Sequence, residues 1–306
     1  MHSLIFLLIT LCLPFLRLGA DKWCYDIQDL SCGPKQWKNE YKICGFKKQS
    51  PINIITKKAQ INTQLGPFIF EGYDHCDKDS KWTLANNGHS AQVTLSGDIT
   101  IKGGGLPSTY KAVQFHYHWG TESDPGSEHT IDGEQFPMEL HMVHMNQNYG
   151  SIEEAIKHND GLAVLAFMFV ESPEENLKNR YLINALKNIP QSGNSTLLEP
   201  FSLKEMIPDQ KKLKKYYRYG GSLTTPGCDE AVIWTIFEEP IALSRSQLNA
   251  FSKTLFFSDS KHMALNFRPV QKLNGRTVFV SDSAVRPFDA AVLSVVLAVW
   301  ASILFN

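Results

Sequence analysis

The chain has 306 residues, of which 43% are apolar and 20% charged, and it contains 18 Phe, 10 Tyr and 6 Trp. This apolar content excludes a disordered chain and is sufficient for a large buried core. Thirty basic and 31 acidic side chains give a formal net charge of −1, so composition gives no reason to expect a nucleic-acid partner.

The chain begins with an apolar run that is too short to span a bilayer. Residues 4–9 are continuously apolar, and the small residues Gly19 and Ala20 follow at the distance of a secretory cleavage site. The alternative is a buried N-terminal helix, which fits poorly because no polar residue interrupts one face. We therefore expect a signal peptide at residues 1–20, followed by one domain over residues 21–281.

Short β-rich runs alternate with Gly-containing turns through the middle of the chain. This pattern predicts a mainly β (α+β) fold, with one domain built around a large, twisted, mostly antiparallel central sheet. Few helices are expected. One is predicted over residues 174–188, with Ser172 as its N-cap and Pro173 at its first position, and another over residues 244–255. The first would bury one apolar face, formed by Leu177, Leu182, Ile183 and Leu186. The predicted strands are residues 92–95, 113–119, 139–144, 162–170 and 232–237.

Histidines occur in two of these strands in an unusual pattern. His116 and His118 are two residues apart, so both imidazoles project from the same face of a strand. His141 lies in the next strand, on the face that it shares with Glu139. If the two strands are adjacent and antiparallel, His141 joins the first pair. The opposite face of the first strand carries Phe115, Tyr117 and Trp119.

Three neutral imidazoles on a rigid sheet suit a zinc ion in a tetrahedron whose fourth position stays open, the mark of a catalytic site. A single His in a strand is usually a hydrogen-bonded core residue, but the grouping of three makes that interpretation weak. Metal-bound imidazoles need acceptors for their other N–H groups. Gln114 and Glu139 each lie two residues from a ligand on the same face, and Glu139 is a carboxylate in an apolar strand.

The C-terminal end also has the features of a segment that is cleaved off. Small residues at positions 281–284 are followed by a short polar spacer and an apolar run over residues 290–305. This order is typical of a GPI-attachment signal, so we expect a propeptide at residues 282–306 and attachment at Ser281 or Ser283. A tail-anchored or single-pass protein is the alternative.

Cysteine usage agrees with export. Cys12 leaves with the predicted signal peptide and five cysteines remain, so one thiol is left over and the pairing stays open. The sequon at Asn194 predicts a glycosylated surface loop.

Seven sequence motifs resemble the α-class carbonic anhydrases, in family order, between about residues 23 and 280. The predicted signal, cysteines and apolar tail are most similar to the membrane-anchored type, and the resemblance implies a catalytic domain over residues 21–281. The motifs are residues 49–54, 86–89, 114–120, 127–130, 139–146, 222–226 and 266–269.

The resemblance implies a Zn²⁺ ion on His116, His118 and His141. It implies that Gln114 and Glu139 hold the first and third of these imidazoles, and that a backbone carbonyl holds His118. It further implies that Thr224 accepts a hydrogen bond from a zinc-bound hydroxide and donates one to Glu128.

The resemblance also implies a proton shuttle at His89 and a water path lined by Tyr25, Asn86 and Gln92. The matching substrate pocket consists of Val143, Val164, Leu223, Thr225 and Trp234. Disulfides Cys24–Cys32 and Cys44–Cys228 are implied as well, which leaves Cys76 without a partner.

The implied activity is reversible hydration of carbon dioxide to bicarbonate and a proton. The enzyme would act at the extracellular face of the plasma membrane on a GPI anchor, would be inhibited by sulfonamides, and would have bicarbonate transporters as candidate partners. Esterase activity is an expected side reaction. A non-catalytic related binding domain is the alternative, which the presence of all three histidines disfavours. A zinc peptidase would need an H-E-x-x-H helix, and the chain has no such motif.

Overall fold

A computed structural model describes residues 23–74 and 80–282. Its helices are α1 (Trp37–Glu40), α2 (Ile152–Ala155), α3 (Arg180–Ala185) and α4 (Arg245–Thr254), with short 3₁₀ turns at Lys42–Gly45, Thr56–Lys58, Leu186–Asn188, Leu203–Glu205 and Gln210–Lys212. Its strands are β1 (Asn53–Ile54), β2 (Gln60–Asn62), β3 (Phe68–Glu71), β4 (Trp82–Asn86), β5 (Ala91–Thr94), β6 (Thr100–Gly103), β7 (Tyr110–Trp119), β8 (Thr130–Ile131), β9 (Glu134–Gln135), β10 (Met138–Asn146), β11 (Leu162–Ser172), β12 (Ser195–Leu198), β13 (Tyr216–Gly221), β14 (Val232–Ser244) and β15 (Phe279–Ser281).

Twelve of these strands form one mixed sheet that runs through the described residues. The order is β12-β4-β5-β7-β10-β11-β14-β13-β15-β2, and β6 connects β7 to β3. Neighbours are antiparallel except for the pairs β11–β14 and β15–β2. Strands β1, β8 and β9 form a second, three-stranded sheet. The predicted mainly β fold with a large, mostly antiparallel central sheet is confirmed.

The two faces of β7 carry different kinds of side chain. On β7, Phe115, Tyr117 and Trp119 point into the larger apolar core, where Tyr117 and Trp119 pack on Phe251 of α4 with ring centroids 5.0 and 5.3 Å apart. The histidines of the same strand therefore point to the other face, as the two-residue period requires. The fold thus leaves one face of β7 for polar chemistry.

Helix α4 confirms one of the two helix predictions. The Ser244 hydroxyl accepts the backbone N–H of Gln247, and the Gln247 side chain accepts the backbone N–H of Ser244. This reciprocal capping box satisfies two N–H groups that have no partner within the helix.

The predicted helix over residues 174–188 is wrong in its first half. Helical structure begins only at Arg180, with α3 and the 3₁₀ turn that follows it. The Asn176 side chain accepts the N–H of Lys178 at 3.1 Å, a local turn that competes with helical hydrogen bonds. Leu177, expected on the buried face, is 65% exposed. Leu182 and Leu186 are buried, as predicted.

Two disulfides join segments outside the strands in the described residues. Cys24–Cys32 closes a short N-terminal loop, and Cys44–Cys228 joins residues 184 positions apart. The remaining cysteine, Cys76, lies outside the described residues. So do the predicted signal peptide at 1–20, Ser283 and the C-terminal apolar run. Within the described ranges, no helix has the length and apolarity to span a membrane.

Candidate metal centre

Three histidines of the central sheet converge as the alternation of their strands predicts. β7 and β10 are antiparallel, and their register places His141 opposite His116 and Glu139 opposite His118. The three imidazole centroids lie 4.7 to 5.2 Å apart, and one ring nitrogen of each lies within 4.8 Å of the other two. Such a group is compact enough to hold one metal ion.

Each imidazole uses its outer nitrogen to donate a hydrogen bond to a fixed oxygen. His116 Nδ1 bonds Gln114 Oε1 at 2.8 Å, His118 Nδ1 bonds the carbonyl of Asn266 at 2.7 Å, and His141 Nε2 bonds Glu139 Oε1 at 2.7 Å. Since carbonyl and carboxylate oxygens only accept, these nitrogens carry the hydrogens. The lone pairs therefore lie on the other three nitrogens, which face one another.

Glu139 is the most heavily bonded carboxylate of the site. It is fully buried and accepts two backbone N–H groups, from Glu128 and His129, each at 2.8 Å. Its other oxygen accepts from the imidazoles of His129 and His141. Burial alone would raise the pKa of Glu139, but the two histidines reverse this, and the pKa lies well below its usual range. The charge thus stays on Glu139 and fixes the orientation of His141.

The donor set fits zinc. Burial and the neighbouring histidines lower the pKa of His116 well below its usual range, and burial also lowers the pKa of His118. Both imidazoles are therefore neutral near pH 7, the form that binds a metal. His118 Nε2 is buried and has no hydrogen-bond partner among the residues that the structure describes. A divalent ion at the centre would satisfy this nitrogen, and three nitrogen ligands with room for a fourth match catalytic zinc sites.

Thr224 and Glu128 both lie at the centre, but among the described residues no hydrogen bond joins them. Glu128 Oε1 accepts the backbone N–H of Arg268 at 2.8 Å. Glu128 Oε2 is buried without a hydrogen-bond partner, 3.4 Å from His118 Nε2. The predicted Thr224–Glu128 hydrogen bond is therefore not formed in this structure, although Glu128 Oε2 remains able to accept one.

A cavity of about 390 Å³ opens above the three imidazoles, and its two sides differ in polarity. All five residues predicted for the substrate pocket line it: Val143, Val164, Leu223, Thr225 and Trp234. His89 lines the other side, with Tyr25 and Gln92. The His89 ring stacks on Trp23, with centroids 3.7 Å apart and planes at 14°. The Tyr25 hydroxyl is buried without a hydrogen-bond partner, and burial raises its pKa well above the usual value.

The prediction for Asn86 needs correction. Its side chain is buried behind the cavity, where Nδ2 donates to the carbonyls of Pro190 and Phe256 and Oδ1 accepts the N–H of Gly88. The next residue, Asn87, lines the cavity instead. Strand β4 ends at Asn86, so the turn that lines the cavity begins at Asn87.

The roles of several residues of the site cannot be recognised from their spacing in the sequence. Ile152 and Ile156, in and after the short helix α2, extend the apolar wall, and Asn266 supplies its carbonyl from a loop. His129 bridges Glu139 to the hydroxyl of Tyr219, at 2.7 Å on each side. None of these residues belongs to a periodic pattern; His129 and Asn266 lie in family motifs, and the fold shows what they contact.

Three histidines of one sheet, meeting beneath an open and half-apolar cavity, define a candidate catalytic metal centre. Residues 32–282 match the family model for eukaryotic-type carbonic anhydrase, so the chain belongs to the carbonic anhydrase family and is an enzyme of that family. It is 44% identical to carbonic anhydrase 4 of Rattus norvegicus over 271 residues, 86% of each chain. The same identity holds for carbonic anhydrase 4 of Oryctolagus cuniculus over 86% of this chain and 85% of that one. Carbonic anhydrase 15 of Mus musculus is 40% identical over 91% of this chain and 88% of its own. The resemblance inferred from the motifs is confirmed.

Proposed function

We propose that the chain is a zinc enzyme that hydrates carbon dioxide reversibly to bicarbonate and a proton. Family membership supports the reaction. The observation that carries the zinc assignment is that three imidazoles each donate one N–H outward to a fixed oxygen and turn the other ring nitrogen inward, so that the three inner nitrogens lie within 4.8 Å of one another. When bound, zinc supplies a nucleophile by acidifying a water molecule, an effect for which carbonic anhydrase is itself the standard example.

The apolar side of the cavity gives carbon dioxide a place to rest. This wall consists of Val143, Val164, Leu223 and Trp234. Its one side-chain hydrogen-bond donor is the indole N–H of Trp234, which already donates to the carbonyl of Ser222 at 3.0 Å. Water is therefore easily displaced from this wall. The product bicarbonate is charged, so the same wall favours its departure.

Thr224 is proposed to orient the nucleophile. A hydroxyl has one hydrogen to donate, and Glu128 Oε2 is a buried carboxylate oxygen that has no hydrogen-bond partner. If Thr224 donates to this oxygen, its own lone pairs accept from the nucleophile and aim it at the carbon. The free acceptor position on Glu128 supports this assignment.

His89 is proposed to carry the proton from the site to buffer. Its ring is partly exposed on the polar side of the cavity, and an imidazole gains and loses protons near neutral pH. Tyr25, Asn87 and Gln92 line the space between His89 and the histidine centre, and their polar groups suit an ordered water path.

We also propose that the enzyme is secreted and held at the outer cell surface by a GPI anchor. Asn194 is exposed just before β12, as a glycan requires. Ser281 is 4% exposed, and its hydroxyl bonds the backbone of Lys214 and Tyr216, which favours Ser283 as the attachment residue. Release of the protein from cells by a phosphatidylinositol-specific phospholipase tests the anchor, and retention in the membrane would contradict it.

The function is tested by measuring zinc content and carbon dioxide hydration of the purified protein, with and without a sulfonamide. We expect about one zinc per chain and sulfonamide-sensitive hydration in the wild type. The His141→Ala variant should lose both. His158→Ala, which changes an exposed histidine that bonds Glu154, is the matched control and should retain both. Full activity in His141→Ala would show that the metal assignment is wrong.

A further inference from the structure

Positive charge is strongly segregated in the N-terminal part of the domain. Residues 35–58 contain seven lysines and one acidic residue, Glu40, a formal charge of +6 in a chain whose net charge is −1. All seven lysines are exposed, and none of them lines the cavity above the histidines. The catalytic machinery therefore does not explain this concentration of charge.

The fold brings a distant lysine to the same surface. The carbonyl of Lys47 accepts the side-chain N–H of Asn274 at 2.8 Å. Arg276 donates to the carbonyls of Gln49 and Lys272, at 2.7 and 3.0 Å, and so holds the two segments side by side. We call the resulting surface the lysine face; its members are Lys35, Lys38, Lys42, Lys47, Lys48 and Lys272.

The first three members lie in or beside the short helix α1. Lys38 lies in α1, Lys35 lies two residues before it begins, and Lys42 opens the 3₁₀ turn that follows Tyr41. Trp37 of α1 is buried. Gly45 lies against the Lys38 side chain, which brings the next segment, with Lys47 and Lys48, close to the helix.

Two carboxylates lie at the lysine face, Glu40 in α1 and Glu230, which accepts the backbone N–H of Lys48 at 2.6 Å, but neither forms an ion pair with its lysines. None of its six ammonium groups lies within 4.0 Å of a carboxylate of the described residues, whereas nine lysines elsewhere in those residues do: Lys102, Lys111, Lys157, Lys178, Lys204, Lys212, Lys215, Lys253 and Lys261. Unpaired like charges repel one another, so the face offers several cations at once to an external polyanion.

We propose that the lysine face binds a sulfated polysaccharide, an inference that rests on the proposed secretory route. A linear chain of sulfate groups matches a row of separate ammonium groups, each of which acts as a point charge. A lipid surface fits less well, because interfacial binding needs several inserted apolar side chains, and next to its lysines the face exposes two, Phe46 at 56% and Leu273 at 37%. Runs rich in Lys are a known form of heparin-binding surface.

The test measures binding of a heparin oligosaccharide to the purified protein at 0.15 M salt and above. We expect the quadruple variant with Lys38, Lys42, Lys47 and Lys48 each changed to Gln to bind at least tenfold more weakly than wild type, with a shallower dependence of log K on log salt. The matched control changes four other exposed lysines without a carboxylate partner in the described residues, and should bind within twofold of wild type. Its substitutions are Lys81→Gln, Lys187→Gln, Lys211→Gln and Lys214→Gln.

Equal weakening in the two quadruple variants would show that net charge alone is responsible and would overturn the proposal. So would binding of the wild type to anionic phospholipid vesicles but not to heparin. Carbon dioxide hydration should be the same in all three proteins, because no substituted residue lines the catalytic cavity. Failure of heparin binding with intact hydration therefore refutes this inference and leaves the proposed function standing.

Discussion

Replacing Glu139 with Gln perturbs the hydrogen bonds that orient the third histidine. In the native protein the two carboxylate oxygens accept four N–H groups, two from backbone and two from imidazoles. A Gln side chain has one oxygen. Whichever way the amide is turned, its NH₂ group must face two N–H donors.

The expected magnitude follows from these contacts. Two hydrogen bonds to a charged acceptor are lost, each worth about 1.5–3 kcal/mol, so the free energy of unfolding should fall by about 3 kcal/mol or more. Loss of an oriented acceptor behind a metal-bound imidazole typically weakens metal affinity 10- to 100-fold. We therefore expect the zinc dissociation constant of Glu139→Gln to rise at least about tenfold.

Competition with a chelator measures the zinc affinity, and urea unfolding of the metal-free protein measures the stability. Glu134→Gln removes the same charge from an exposed position on the nearby strand β9 and is the control, with expected values close to wild type. Zinc affinity of Glu139→Gln within twofold of wild type would refute the reasoning that this carboxylate fixes His141.

Three further predictions concern stability and proton transfer. Changing both Cys44 and Cys228 to Ser opens a loop of 184 residues and should lower the free energy of unfolding by about 5 kcal/mol in urea titrations; a change below about 1 kcal/mol would contradict the loop-entropy argument. Burial lowers the pKa of His144 to about 4, so as the pH falls the unfolded chain is protonated at this imidazole before the folded chain is. The stability that neutral His144 contributes is therefore fully present above pH 6.5 and is lost as the pH falls toward 4. The wild type should therefore lose about 2 kcal/mol more than His144→Gln between pH 7 and pH 5, and parallel stability curves would contradict this. His89→Ala should lower kcat about 10- to 100-fold with kcat/KM nearly unchanged, and added imidazole should restore kcat; an equal fall in both constants would assign His89 another role.

The alternation of residues along two strands predicts most of the metal centre. Because the side-chain period of a strand is two, His116 and His118 lie on one face of β7, and His141 lies on the face of β10 that it shares with Glu139. Their convergence also needs β7 and β10 to be neighbours in one register, which is a non-local property that only the family resemblance supplied. The Asn266 carbonyl that holds His118 lies 148 residues away in the sequence; residues 266–269 form a family motif, but the motif alone does not identify this contact.

The errors have local causes. Asn86 and Asn87 are adjacent residues of the same type, and the end of β4 decides which of them lines the cavity; sequence patterns rarely place such a boundary within one residue. Over residues 174–188, apolar spacing predicts a full helix, but the side chain of Asn176 bonds the backbone and delays its start to Arg180. In both places side-chain hydrogen bonds outweigh the local pattern.

X-ray absorption spectroscopy at the zinc edge, on protein purified without added metal, identifies the ligands of the bound zinc. We expect about one zinc per chain, bound by three imidazole nitrogens and one oxygen at about 2.0–2.1 Å. His141→Ala should remove that signal, and His158→Ala should leave it intact. A sulfur ligand, a fourth imidazole or zinc retained by His141→Ala would contradict the three-histidine centre.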